Sequence, residues 1–196
     1  MNRKIIERKY RYKIPTPKEL FERFKVEFLD GTPPDSWNAD KRWTDFMLGI
    51  FDSIGRSFRY KTRPRPGHGE YLNLDQIWDI RHTDTEAIVL ALEHENTSDV
   101  RVVLDDELQK LIDVKAYLKV LIFYPYKVPV MPDDSGLAYT EIQEKIRSAQ
   151  IKNSDEKYVI ISIVYTIEDV IEVSACSLDS DGKAEDLGSF QVKYPP

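Results

Sequence analysis

The side chains best placed to do chemistry are four carboxylates on two predicted strands that are neighbours in the chain. Asp75 and Asp79 lie on the first strand, and Glu93 and Glu95 close the second, directly after four apolar residues. Because side chains alternate along a strand, the members of each pair share a face. Acids at the ends of apolar strands are costly unless a cation offsets them, and their oxygens suit Mg²⁺. Such an ion can activate water and stabilise charge on a transferring phosphoryl group.

The pairing register of this hairpin decides whether the acids meet. With a five-residue loop, 82–86, Asp75 falls opposite Glu93, and directly opposed residues have Cβ atoms about 4.5–5.5 Å apart. With a four-residue loop the register slips by one, and Glu93 faces Gln76 instead. A β-bulge could restore either arrangement, so the sequence leaves both open. The alternative to a metal site is a strand end whose acids only face water.

Hydrophobic periodicity and turn-forming residues predict the elements that must position these groups. The predicted helices are 15–31, 39–58, 98–114 and 139–151, and the predicted strands are 71–80, 87–95, 118–125, 158–166, 171–178 and a last short one near 190–192. The segment 61–69 is predicted as a loop, because prolines interrupt a strand ladder and glycines favour turns. The mixed order predicts a single-domain α/β sandwich with a mixed central sheet flanked by helices.

Charge is distributed unevenly along the chain. The 28 Lys and Arg residues against 34 Asp and Glu give −6 overall, but residues 1–69 carry +7 and residues 70–196 carry −13. Five bases and no acid lie between 53 and 69, namely Arg56, Arg59, Lys61, Arg63 and Arg65. Because this run directly precedes the first acidic strand, it predicts nucleic-acid phosphate contacts beside the acids, with a solvated loop as the alternative. The acidic half could engage a basic protein partner.

Composition argues against membrane and disulfide-linked classes. The longest mainly apolar runs, 158–164 and 120–124, are too short to cross a bilayer, and the N-terminus is charged where a signal peptide needs an apolar stretch. Cys176 is the sole cysteine, so neither an internal disulfide nor a Cys-based zinc site is expected. We therefore expect a cytoplasmic protein with no membrane partner.

One family pattern matches the acidic hairpin and the segments after it. Asp75 on one strand, Glu93 and Glu95 in a Glu-x-(Lys or substitute) pattern, then the helix 105–112 and the apolar strand LKVLIFYP resemble the PD-(D/E)XK nuclease superfamily. The resemblance implies a restriction-endonuclease-like αβββαβ core, whose first helix is the predicted long helix and whose first short strand comes from FRYKTRP or its neighbourhood. The single domain then comprises a helical extension at 1–38, the nuclease-like core at 39–125, and a C-terminal helix and strands at 126–196.

The resemblance also implies roles for individual residues. Asp75 and Glu93 would bind Mg²⁺ or Mn²⁺, and Glu95 would complete the catalytic set at the position where the superfamily usually has a lysine. Further candidates are Glu70, Asp79 as the rival of Asp75, Gln109 on the following helix, and Lys110 and Lys119 as replacements for the lysine.

The activity implied is metal-dependent hydrolysis of phosphodiester bonds in DNA, in preference to RNA. A chain of this size could cut two strands as a homodimer. The Glu at position 95 leaves a second hypothesis open, because it removes the usual positive charge. That hypothesis is a nuclease-fold module that binds nucleic acid or a protein partner without cleaving.

Overall fold

A mixed β-sheet of seven strands runs through the computed structural model, within the part of the chain that it describes. The described residues are 12–35, 40–64, 72–82, 85–97, 99–125, 136–149, 155–166 and 168–194. The strands are β1 Lys61–Arg63, β2 Gln76–His82, β3 Thr85–Glu95, β4 Ala116–Phe123, β5 Lys157–Tyr165, β6 Val170–Asp179 and β7 Ala184–Lys193. The helices are α1 Pro17–Asp30, α2 Asp40–Ser57, α3 at 100–113 and α4 Gly136–Ser148.

The strands lie in the sheet in the same order as in the chain. The inner strands β3, β4 and β5 are parallel, and every other neighbouring pair is antiparallel. Parallel neighbours need a crossover, and α3 and α4 supply the two that are required. The carboxyl ends of β3 and β4 therefore lie at the same edge of the sheet, which is the edge where the predicted acids fall.

Helices cover both faces of the sheet. One apolar cluster joins α1 and α2 to residues such as Trp78, Leu90 and Val120. A second cluster joins α3 and α4 to the alternate residues of the same strands, such as Ala91 and Leu121. Strand β4 is buried along its whole length, as expected for a parallel strand covered on both faces. The predicted α/β class with a mixed sheet flanked by helices is confirmed.

Helix α2 lies close against the sheet. A Cβ atom at Gly55 would come within 2.8 Å of the Trp78 indole nitrogen and 2.7 Å of the Thr62 methyl group, so only glycine allows this approach. No helix among the described residues is long and apolar enough to span a membrane.

Helix α3 changes its winding along its length. It is α-helical over Val100–Val102, π-helical over Val103–Leu108 and α-helical again over Gln109–Asp113. Turns of π-helix are rare in proteins, but those that do occur are often found at functional sites. The sequence periodicity predicted the helix but not this irregular turn.

Two strand predictions are wrong in detail. Prolines and glycines predict a loop at 61–69, but its first three residues form β1, with Thr62 paired to Trp78. Strand β1 lies in FRYKTRP, from which the family resemblance draws a first short strand. Proline does not prevent this strand, because an edge strand pairs on one side only and the first proline of the segment, Pro64, follows β1. The last strand is ten residues long rather than three, because Ala184, Glu185 and Asp186 pair with β6 although they are exposed.

Candidate functional site

The register of the β2–β3 hairpin brings two of the predicted acids to the same level. A β-bulge shifts the pairing in the middle of the hairpin, and beyond it Gln76 pairs with Leu92. Continuing this register by one position places Asp75, which lies just before β2, level with Glu93. The two carboxyl groups interact, because the negative charge of Asp75 contributes to raising the pKa of Glu93. The bulge thus produces the arrangement that the sequence left open.

The main chain of β3 holds Asp75 in place. Its Oδ2 accepts a hydrogen bond of 2.8 Å from the backbone N–H of His94. The His94 ring points to the opposite face, where it is buried and its Nε2 lies 2.8 Å from the Tyr124 hydroxyl. Burial lowers the pKa of this imidazole to about 3, so the ring is neutral. His94 is therefore a packed residue on the far side of the sheet, as expected for the neighbour of Glu93 along a strand.

Glu93 is the most perturbed carboxyl group of the site. Only 1% of the residue is exposed. Burial raises its pKa to about 11, and a hydrogen bond with Glu107 and the charges of Asp75 and Glu107 act in the same direction. Its Oε1 is buried and has no hydrogen-bond partner within the described ranges. In the metal-free protein Glu93 therefore carries a proton at neutral pH.

Helix α3 adds a base and a further acid to this pair. Lys110 places its Nζ 2.9 and 3.1 Å from the two carboxylate oxygens of Glu107 and 3.9 Å from Oε2 of Glu93. Glu107 lies in the π-helical turn, one turn before Lys110. Of these two residues, sequence reasoning named Lys110 and missed Glu107. The available signal was their spacing of three residues, which allows an ion pair on one helix face.

Glu95, the third predicted catalytic residue, contacts the chain just after β3. Glu95 ends β3 and its Oε1 accepts a hydrogen bond of 2.7 Å from the backbone N–H of Thr97. The next residue, Asn96, donates to the Asp40 carbonyl oxygen and to the Thr44 hydroxyl at the start of α2. These contacts attach the end of β3 to the helix on the other face and so fix the position of Glu93.

The remaining acidic and lysine candidates lie apart from Glu93 or outside the described residues. Asp79 forms an ion pair of 2.6 Å with Arg63. Lys119 is fully buried and pairs with Glu156 at 2.7 Å, and burial lowers its pKa. Neither Glu70 nor Arg65 lies within the described ranges.

Gln109 faces a groove rather than the acidic pair. Its amide donates to Asp113 over 2.9 Å, and both residues line a groove between α3 and α4. Lys110, the next residue in the chain, points towards Glu93 instead.

The arrangement can be tested against a divalent cation. Within the described ranges no group of three or more His, Cys, Asp or Glu side chains is arranged to hold a metal ion. Mg²⁺ is usually bound through one or two carboxylates while it keeps several waters, and Asp75 and Glu93 supply that number. The unpartnered Oε1 of Glu93 and the repulsion among neighbouring acids are what a cation would relieve. The donor set therefore fits Mg²⁺ or Mn²⁺ bound largely by water.

Fold and site together define an α/β protein with an acidic cluster and one lysine at the carboxyl end of an inner strand. Comparisons of the chain with protein-family models, with curated proteins and with solved structures give no match. The functional argument therefore rests on the geometry of the cluster.

Proposed function

We propose that this protein is a metal-dependent phosphodiesterase of the PD-(D/E)XK type that hydrolyses nucleic acid, with DNA preferred to RNA. The observation that carries the proposal is the buried carboxyl group of Glu93, level with Asp75 and within 3.9 Å of Lys110. The order of elements from Asp40 to Phe123 is α-β-β-β-α-β, which agrees with a restriction-endonuclease-like core. Burying an acid beside two others weakens the fold, so a ligand that uses it is the simplest reason for its presence.

Each residue has a distinct task in this proposal. Asp75 and Glu93 hold the metal, which when bound supplies positive charge at the scissile phosphate and lowers the pKa of a bound water. Glu93 must release its proton before it can act as a ligand. Lys110 orients the attacking water and the phosphate in place of the lysine missing from position 95, and Glu107 holds Lys110 in position through two hydrogen bonds. Hydrolysis forms a bond from the water oxygen to phosphorus and breaks one P–O ester bond. The attacking water gives up one proton to solvent and the departing oxygen takes one from solvent, so the step balances.

One observation favours a second candidate function. The carboxylate of Glu95 is engaged by the backbone of Thr97, and position 95 offers no positive charge. A protein that kept the fold and the nucleic-acid contacts but lost cleavage would have this arrangement. In that case Lys110 would serve only as the counter-ion of Glu107.

Cleavage assays separate the two functions. Plasmid DNA and labelled DNA and RNA oligonucleotides are incubated with the wild type in Mg²⁺, in Mn²⁺ and in EDTA. We expect metal-dependent cleavage of DNA that Glu93→Gln and Asp75→Asn reduce at least about 100-fold. Glu185→Gln is the matched control, because Glu185 is an exposed acid on β7. Cleavage that survives both site variants would refute the site assignment, and salt-sensitive DNA binding without cleavage would favour the binding module.

A further inference from the structure

A polar pocket lies at the β1 edge of the sheet, apart from the Glu93 cluster. It has a volume of about 390 Å³ and is lined by Tyr12, Arg56, Arg59, Tyr60, Lys61 and Asp79. We call it the edge pocket. Three of the five bases that the sequence singled out line it, whereas Arg63 points to Asp79 beside it.

The charges around the edge pocket leave it positive. Its lining holds three bases, Arg56, Arg59 and Lys61, and one acid, Asp79. Next to the lining, Asp52 pairs with Arg56 at 2.8 Å and Arg63 pairs with Asp79 at 2.6 Å, so these two neighbours cancel in the charge count. Arg59 and Lys61 each add a positive charge to the lining. A local excess of about two positive charges on a chain of net −6 concentrates anions at this edge.

The backbone at Arg59 adopts a left-handed conformation that is unusual for an arginine. Arg59 has φ of 68° and closes α2, with the Tyr60 N–H bonded to the Gly55 carbonyl oxygen at 2.9 Å. This left-handed position after a helix is normally filled by glycine or asparagine. A long cation placed there loses stability relative to glycine, and such strain is concentrated at binding sites.

An aromatic column connects the edge pocket to the core. Tyr12 stacks on Tyr60 with ring centroids 5.4 Å apart, and Tyr60 stacks on Trp78 at 5.8 Å. The Tyr60 hydroxyl also donates to the Lys13 carbonyl oxygen, which fixes the ring. Rings beside a basic groove are the combination that binds nucleic-acid strands, because cations contact phosphates and bases stack on rings.

The position of the edge pocket relates it to the acidic pair. Asp79 on its lining is four residues along the chain from Asp75, a distance of roughly 13 Å in extended chain. In B-DNA that span corresponds to about four nucleotides of axial rise along one strand. A strand whose scissile phosphate reaches the Asp75–Glu93 site therefore passes the edge pocket within a few nucleotides.

We propose that the edge pocket binds a backbone phosphate of the nucleic-acid strand, through Arg59 and Lys61, and presents Tyr12 to a neighbouring base. That this strand is the one cleaved rests on the proposed function. The binding itself does not, because no group of the edge pocket belongs to the acidic cluster.

Fluorescence anisotropy with a fluorescein-labelled DNA oligonucleotide in EDTA tests this binding. We expect Arg59→Gln and Lys61→Gln each to weaken binding about 5- to 10-fold and to lower the salt slope by about one unit, as loss of one phosphate contact does. Lys183→Gln, an exposed lysine in the turn between β6 and β7, is the matched control and should bind as the wild type does. Arg59→Gly guards against misfolding, because glycine suits the backbone there but lacks the cation. It should be folded and still bind weakly.

The outcomes separate this proposal from the proposed function. Glu185→Gln should bind DNA as the wild type does, because this exposed acid on β7 belongs to neither site. Loss of binding in the Arg59 and Lys61 variants without any cleavage by the wild type would support the edge pocket and count against the nuclease. Unchanged affinity in these variants would overturn the edge pocket, whether or not the protein cleaves. Displacement of the oligonucleotide by equimolar inorganic phosphate would also overturn the proposal that the edge pocket binds a nucleic-acid strand, because that result would show a site for a free anion.

Discussion

Replacing Glu93 by glutamine should stabilise the metal-free protein and abolish its response to magnesium. The folded state raises the pKa of this carboxyl from 4.5 to about 11, with burial as the main cause. Below pH 4.5 the group is protonated in both states, so it has no effect on the pH dependence. Above pH 4.5 the unfolded chain releases the proton that the folded protein keeps, so stability falls as pH rises towards the folded pKa.

The magnitude follows from the same linkage. Each pH unit between the two pKa values costs roughly 1.4 kcal/mol, so the three units from pH 5 to pH 8 set an upper limit of about 4 kcal/mol. The positive charge of Lys110, 3.9 Å away, and local relaxation of α3 reduce this effect. We expect about 2 kcal/mol. Glutamine has nearly the same shape and does not titrate, so the advantage of Glu93→Gln should grow with pH by that amount.

Urea unfolding in EDTA at pH 5, 6, 7 and 8 measures the difference. Titration of His94 affects both proteins alike and cancels when they are compared, and Glu185→Gln controls for loss of one negative charge. Adding Mg²⁺ at ten times its Kd should then stabilise the wild type by about 1 kcal/mol and leave Glu93→Gln unchanged. A variant that is less stable than the wild type at every pH would refute the reasoning, because it would mean that Glu93 is ionised and favourably paired in the fold.

Three further changes test other parts of the structure. Lys110→Met should abolish cleavage but keep the stabilisation by Mg²⁺ in thermal melts, and loss of both would make Lys110 a structural residue. Gly55→Ala should lower the free energy of unfolding by about 1–3 kcal/mol in urea titrations, because its Cβ would meet the Trp78 ring; an unchanged value would contradict this close approach. Lys119→Met should cost about 3–5 kcal/mol by leaving Glu156 buried without its partner, and adding Glu156→Gln should restore most of it, whereas additive losses would contradict this coupling.

Local sequence patterns were sufficient for the main elements of the fold. The predicted helix 39–58 corresponds to Asp40–Ser57, and the apolar run 118–125 lies within and just beyond the buried strand Ala116–Phe123. Most of β7 was missed because it is an exposed edge strand, which carries little apolar alternation. Strand β1 lies in FRYKTRP, which the family resemblance offered for a first short strand, although turn-forming residues alone predicted a loop there. Their positions depend on partner strands, and a single-sequence pattern does not contain that information.

The candidate site was predictable only in part, for a similar reason. Whether Asp75 meets Glu93 depends on a bulge between two strands, which is a property of their pairing and not of either segment. Lys110 and Lys119 were equal candidates in the sequence, because helix rotation and strand face decide which one reaches Glu93. Glu107 was missed because it lies in a π-helical turn, where helical periodicity no longer identifies the face.

Two unfavourable features lie beside β2 and bear on both proposals. Level with Asp75, just before β2, Glu93 of β3 is buried as a protonated acid although a glutamine would serve the fold better. Four residues further along, beside Asp79, Arg59 keeps a left-handed backbone that glycine would adopt with less strain. The two features favour ligands of opposite charge. A bound cation would stabilise the Glu93 site, and a bound anion would stabilise the site at Arg59. A metal ion and the phosphates of one nucleic-acid strand would satisfy both sites together. If the protein only had to fold, the presence of one site would give no reason for the presence of the other.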